Sequence, residues 1–218
     1  LYPYFFLFET KHNISIFSKK HMRGLPVYEA KIDMNDDSVG MFVISLVDAP
    51  AVEYDFLAFD KEQKMMTYKI SNTEEQKVFG VVMAVDKPIY RNDNGYEYYI
   101  TYSKETVALM AEKYFKNGLQ NNVDTNHNFE LEDGITLTQM FIKNTEKGVN
   151  PIEFDDVNDG SLFAEFHIEN TDVWEAIKKG EYKGFSLAGT FIIEEKQDEY
   201  DEILDILEKL EKKMKGGN

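Results

Sequence analysis

Between residues 27 and 102 short β-type runs follow one another, broken by turn residues. Such runs bury their apolar faces only by pairing into sheets, so this half of the chain fixes the fold class before any motif is considered. Residues 27–33 alternate, with Tyr28, Ala30 and Ile32 on one face and Glu29 and Lys31 on the other. Residues 41–47 form a mostly apolar, β-branched run, and Asn35, Asp36, Asp37 and Gly40 supply the turn between the two. Further strands are expected over residues 54–59, 64–71 and 77–85. Asn94-Gly95 closes a hairpin into a strand over residues 96–102.

The pattern then changes period. Ser103 is a suitable N-cap, and Val107, Met110, Ala111 and Tyr114 recur at helical spacing. Gly118 suits the left-handed position that ends such a helix. Strands are expected at 135–142 and 162–168, separated by a loop over 144–160 rich in Asn, Asp and Gly. A second helix spans about 172–179, with Asp172 or Thr171 as its cap and Val173, Trp174 and Ile177 as its apolar stripe. Residues 185–194 read as one strand. A charged helix over 198–215 carries Ile203, Leu207, Leu210 and Met214 on one stripe. The expected architecture is α+β: a mainly antiparallel sheet or small barrel with about three helices.

Composition narrows function mainly by exclusion. The formal charge of −16 disfavours a nucleic-acid-binding surface, which needs Lys and Arg against phosphate. With no cysteine, disulfides, thiol nucleophiles and Cys-ligated zinc are ruled out. No apolar run reaches the length of a membrane helix, roughly 18 residues. Neither a cofactor nor a metal site is expected, since the histidines lack matching ligand spacing. The apolar start, Leu1 to Phe8, lacks the basic and small residues that flank a signal peptide. Met22 opens a more ordinary sequence. Residues 1–21 are accordingly read as a leader upstream of the natural start, the alternative being a fragment that begins mid-chain.

Four histidines are present. His12 and His21 belong to the leader, and His167 falls on a strand at an expected exposed position. His127 lies in the polar loop Asn126-His127-Asn128, where catalytic groups often sit. Histidine is the usual base for activating a serine because its ordinary pKa lies near neutrality. Ser186 sits in Gly184-Phe185-Ser186-Leu187-Ala188-Gly189. That string looks like a G-x-S-x-G nucleophile elbow, but the elbow needs a strand before the serine and a helix after it. Here a helix precedes and a strand follows, so an α/β-hydrolase does not fit. By composition alone both residues are ordinary.

The segment from Asp172 through Trp174, Gly180, Gly184 and Ser186 to Gly189 closely resembles the XkdF-like serine proteases of tailed bacteriophages. These look like prohead, or capsid-maturation, proteases related in fold to herpesvirus assemblin. The runs Val78-Phe79-Gly80-Val81-Val82-Met83 and Ile135-Thr136-Leu137-Thr138-Gln139-Met140-Phe141-Ile142 resemble the same family, as does the position of the His127 loop. The resemblance implies a protease-like domain over residues 22–196, followed by the charged helix at 197–218. It also implies His127 as general base and Ser186 as nucleophile.

The third member is less direct. Elsewhere in the family it lies on a strand after the serine, in a context like Glu-Val-Ser-Leu-Val. The similar segment here is early, Val43-Ile44-Ser45-Leu46-Val47, which suggests a circular permutation. The acid position then falls on Val43, so Asp48 just beyond is the substitute candidate; a Ser–His dyad and a glutamate of the acidic tail stay open. The resemblance implies scaffold and major capsid proteins as substrates, and a location inside the procapsid or in the host bacterial cytoplasm. The C-terminal helix is expected to pack on its own domain; the alternative is an assembly segment that coils with another copy, giving a homo-oligomer, or with scaffold. An inactive head protein, or an acidic module that docks a basic partner, is the alternative.

Overall fold

The computed structural model describes residues 21–22, 25–50, 57–59 and 75–196. Its strands are β1 (His21–Met22), β2 (Leu25–Lys31), β3 (Gly40–Val47), β4 (Leu57–Phe59), β5 (Lys77–Met83), β6 (Ile89–Asp93) and β7 (Tyr96–Tyr102). Helix α1 (Lys104–Lys116) and strands β8 (Val123–Thr125), β9 (Ile135–Ile142) and β10 (Leu162–Ile168) follow, then α2 (Thr171–Lys178), β11 (Gly184–Thr190) and β12 (Ile192–Glu195).

The fold is α+β and mostly sheet, with two α-helices among the described residues. The expected helix at 198–215 and strand at 64–71 lie outside those residues. No barrel closes. The strands instead form three open sheets: β1-β2-β7-β6 with β12 also on β2, then β4-β5-β10-β9, then β11-β3-β8. Among the described residues the pairing is mainly antiparallel, as expected, with two parallel pairs, β2 with β7 and β3 with β8. These partners lie far apart in sequence, so no hairpin imposes an antiparallel direction on them.

Local chemistry explains most element ends. The Ser103 hydroxyl accepts from the Thr106 N–H at 3.3 Å, and Val107, Met110, Ala111 and Tyr114 are all buried. Gly118 takes a left-handed φ of 68° just past the helix. At α2 the cap is Asn170, not Thr171 or Asp172. Its Oδ1 accepts from the N–H groups of Asp172 and Val173 at 3.1 and 3.2 Å, which leaves Asp172 inside the first turn, where a carboxylate suits the helix dipole. The expected single strand over 185–194 breaks at Phe191. That ring is buried edge-on against Tyr102, 5.2 Å between centroids, and the chain continues as β12 on the other side of the break.

The core is one cluster shared by the sheets and both helices, including Ile44, Leu46, Val81, Tyr102, Met110, Phe163, Trp174 and Phe185. Phe79, Phe141, Phe154 and Phe163 pack ring on ring at its edge, with centroids 5.4–5.9 Å apart. The Asn-rich loop after β9 is held from inside. Lys143 is buried, and its Nζ donates to the carbonyls of Phe154, Asp155 and Val157 at 2.9, 3.1 and 2.7 Å, so its charge is solvated by backbone instead of water.

Candidate active site

The site lies on the three-stranded sheet, and side-chain alternation decides which face. In β11 and β3, Phe185 pairs with Leu46 and Leu187 with Ile44, and all four point into the core. The intervening residues must then face the other way. Ser186 pairs with Ser45 and Ala188 with Val43 on that opposite face. On the other side of β3, Ser45 pairs with Asp124 of β8. Partnered residues share a face, so Ser186, Ser45 and Asp124 form one polar row across three strands. The row is well covered: Ser45 and Asp124 are 0% exposed and Ser186 is 7% exposed.

The loop after β8 returns over this row. Asn126 and His127 both adopt left-handed backbone, φ 49° and 55°, which costs L-residues about 1 kcal/mol each but is tolerated best by Asn, Asp and His. Hydrogen bonds hold the turn against that cost. The Asn126 N–H donates to the Leu46 carbonyl at 2.9 Å, Asn128 N–H to the Thr125 carbonyl at 3.1 Å, and Glu132 N–H to the Val123 carbonyl at 2.8 Å. The Asp48 N–H adds a bond to Asn126 Oδ1 at 3.2 Å.

The turn delivers the His127 ring between the two serines. Nε2 lies 3.0 Å from Ser186 Oγ, and Nδ1 lies 2.8 Å from Ser45 Oγ. With the ring neutral and Nε2 accepting from the Ser186 hydroxyl, Nδ1–H donates to Ser45. Burial pushes the His127 pKa below its ordinary value; the Asp124 carboxylate pulls it back up, and Arg91 of β6 opposes that. A ring that stays neutral at pH 7 can take a proton from Ser186 as its oxygen attacks an electrophilic carbon.

Two expected site residues are therefore brought together and one is not. His127 and Ser186 meet within hydrogen-bonding distance. Ser45, and not the candidate third member Asp48, stands against Nδ1, while Asp48 lies exposed past the end of β3 and touches the loop through its backbone. The reason is register. The strand run carries on from Val43 by period two, and it is Ser45 that stands opposite Ser186. A signal for Ser45 was present in the sequence: it is the one polar side chain in Gly-Met-Phe-Val-Ile-Ser-Leu-Val. His167, on β10, is half-buried and lies away from this row. Among the described residues no group of three His, Asp or Glu could hold a metal ion.

Residues 64–195 match the family model described as "Putative phage serine protease XkdF". The chain belongs to this XkdF family. The match spans more than half of the sequence and takes in His127 and Ser186, while Ser45 lies before it. No curated protein and no solved structure matches the chain.

Proposed function

We propose that this XkdF-family protein is a serine endopeptidase in which Ser186 is the nucleophile, His127 the general base and Ser45 the group that orients His127. The observation that carries the reading is one imidazole bridging two serines on neighbouring strands, Nε2 to Ser186 at 3.0 Å and Nδ1 to Ser45 at 2.8 Å. Ser186 Oγ attacks the peptide carbonyl carbon as its proton passes to Nε2. The C–N bond then breaks, the amine leaving with that proton, and an ester to Ser186 remains. Water hydrolyses the ester by the same base, releasing the acid and restoring the serine.

Family membership supports a phage precursor as substrate. In this reading the protein cleaves scaffold or capsid precursors during head maturation, inside the procapsid, on a fold like that of assemblin. A second reading is an inactive head protein. It is favoured by Nδ1 meeting a neutral hydroxyl where many serine hydrolases present a carboxylate.

One experiment separates the two. A fluorophosphonate probe should label Ser186 in the purified protein. Ser186→Ala and His127→Ala should lose labelling and precursor cleavage, by a factor on the order of 10⁶ by analogy with a working triad, with the circular-dichroism spectrum unchanged. Labelling that persists in folded Ser186→Ala overturns the assignment.

A further inference from the structure

The polar row across the three-stranded sheet has a third member that the proposed reaction does not use. Asp124 is fully buried beside Ser45, on the same face. Its Oδ2 accepts the Phe129 N–H at 2.8 Å and so closes the loop that carries His127. Its Oδ1 is buried with no hydrogen-bond partner. A carboxylate oxygen withdrawn from water without a donor is costly, and buried polar groups are nearly always paired. Loop closure needs only one acceptor, and an asparagine would supply it. The second oxygen and the negative charge are left without a structural use.

We infer that Asp124 is a positioning residue of the Ser186–His127–Ser45 cluster, supplying through space the negative charge that stabilises His127 once it has taken the serine proton. This rests on the protease reading. Ser45 is neutral, so it orients the ring but cannot balance a full positive charge. Asp124, next in the row and three residues before His127 on the strand that leads into its turn, can. The other charged groups around the ring do not duplicate it. Arg91 of β6 acts in the opposite sense, disfavouring the protonated ring. Asp48 is exposed and engages Asn126 through its backbone. Glu132 accepts from the Thr125 hydroxyl at 3.2 Å and from Asn170 Nδ2 at 3.4 Å. Glu130 is exposed, with its N–H on Asn128 Oδ1.

Asp124→Asn keeps an acceptor for the Phe129 N–H and removes the charge. His127 titrated by NMR should then show a pKa lower by about one unit, the low end of the effect of a close opposite charge. The acid limb of kcat/KM should move to lower pH with it, and the plateau should fall about tenfold. A merely structural Asp124 would leave the His127 pKa where it is, and that result, or a rise, overturns the inference. The titration needs no turnover, so the protease reading can fail at Ser186→Ala while this coupling is still measured. If Asp124→Asn does not fold, the wild-type protein decides: the Asp124 carboxyl ¹³C resonance should move through an inflection at the His127 pKa, and a flat response there overturns the inference.

Discussion

Removing the Ser45 hydroxyl tests the cluster more sharply than removing the nucleophile. Ser45 is fully buried and its Oγ lies 2.8 Å from His127 Nδ1. In the resting ring this is a neutral hydrogen bond, of net value about 1 kcal/mol. Once Nε2 takes the serine proton the ring is a cation, and a bond from it contributes about 1.5–3 kcal/mol. Ser45→Ala loses the smaller amount in the resting state and the larger in the transition state, so the barrier rises by the difference, about 0.5–2 kcal/mol. At 1.36 kcal/mol per decade the rate should fall by a factor of about 2 to 30. Folding stability should fall by only about 1 kcal/mol, because one bond and one small atom are lost. The assay is the second-order rate of fluorophosphonate labelling at Ser186, read beside urea denaturation. An unchanged rate would mean that Ser45 does not orient the base. A loss as deep as that of Ser186→Ala, in a protein that remains folded, would mean that Ser45 takes part in the chemistry itself.

Two further outcomes follow from the same geometry. His127 must be neutral to act as base, and burial holds its pKa below the ordinary value of about 6.5, so the acid limb of kcat/KM should lie below that pH; a limb above it contradicts the buried ring. The sign for stability is the same. With the folded pKa depressed, the unfolded chain binds the proton first, so the His127 contribution is present above about pH 6.5 and is lost as pH falls toward the folded pKa. Acidification should therefore destabilise wild type more than His127→Gln in urea melts. Gly189 tests the strand pairing that sets the register. A Cβ there would lie 2.2 Å from the Gly40 carbonyl oxygen, on backbone that cannot move without prying β11 from β3. Gly189→Ala should cost about 1–3 kcal/mol in urea denaturation, and a neutral result would refute so close an approach.

The sequence by itself determined the parts. Period-two alternation marked the strands at 96–102, 135–142 and 162–168 with their observed bounds, because burial on one face leaves a local imprint on the chain. Ser103 and Gly118 marked the ends of α1 for the same kind of reason: capping is a contact between near neighbours. The family, and His127 and Ser186 as the candidate pair, were legible in short segments. Strand β8 was not, since three residues in a polar stretch carry too little pattern. What only the tertiary structure decided was who stands opposite whom. Alternation says that Ser45 and Ser186 avoid the core face, yet nothing near either residue states the register of β3 against β11 and β8. That register is set by the packing of Ile44, Leu46, Phe185 and Leu187 across strands distant in sequence. It is why the partner of His127 Nδ1 is Ser45 and not Asp48, and why the buried carboxylate beside Ser45 is that of Asp124, on the strand that leads into the His127 turn.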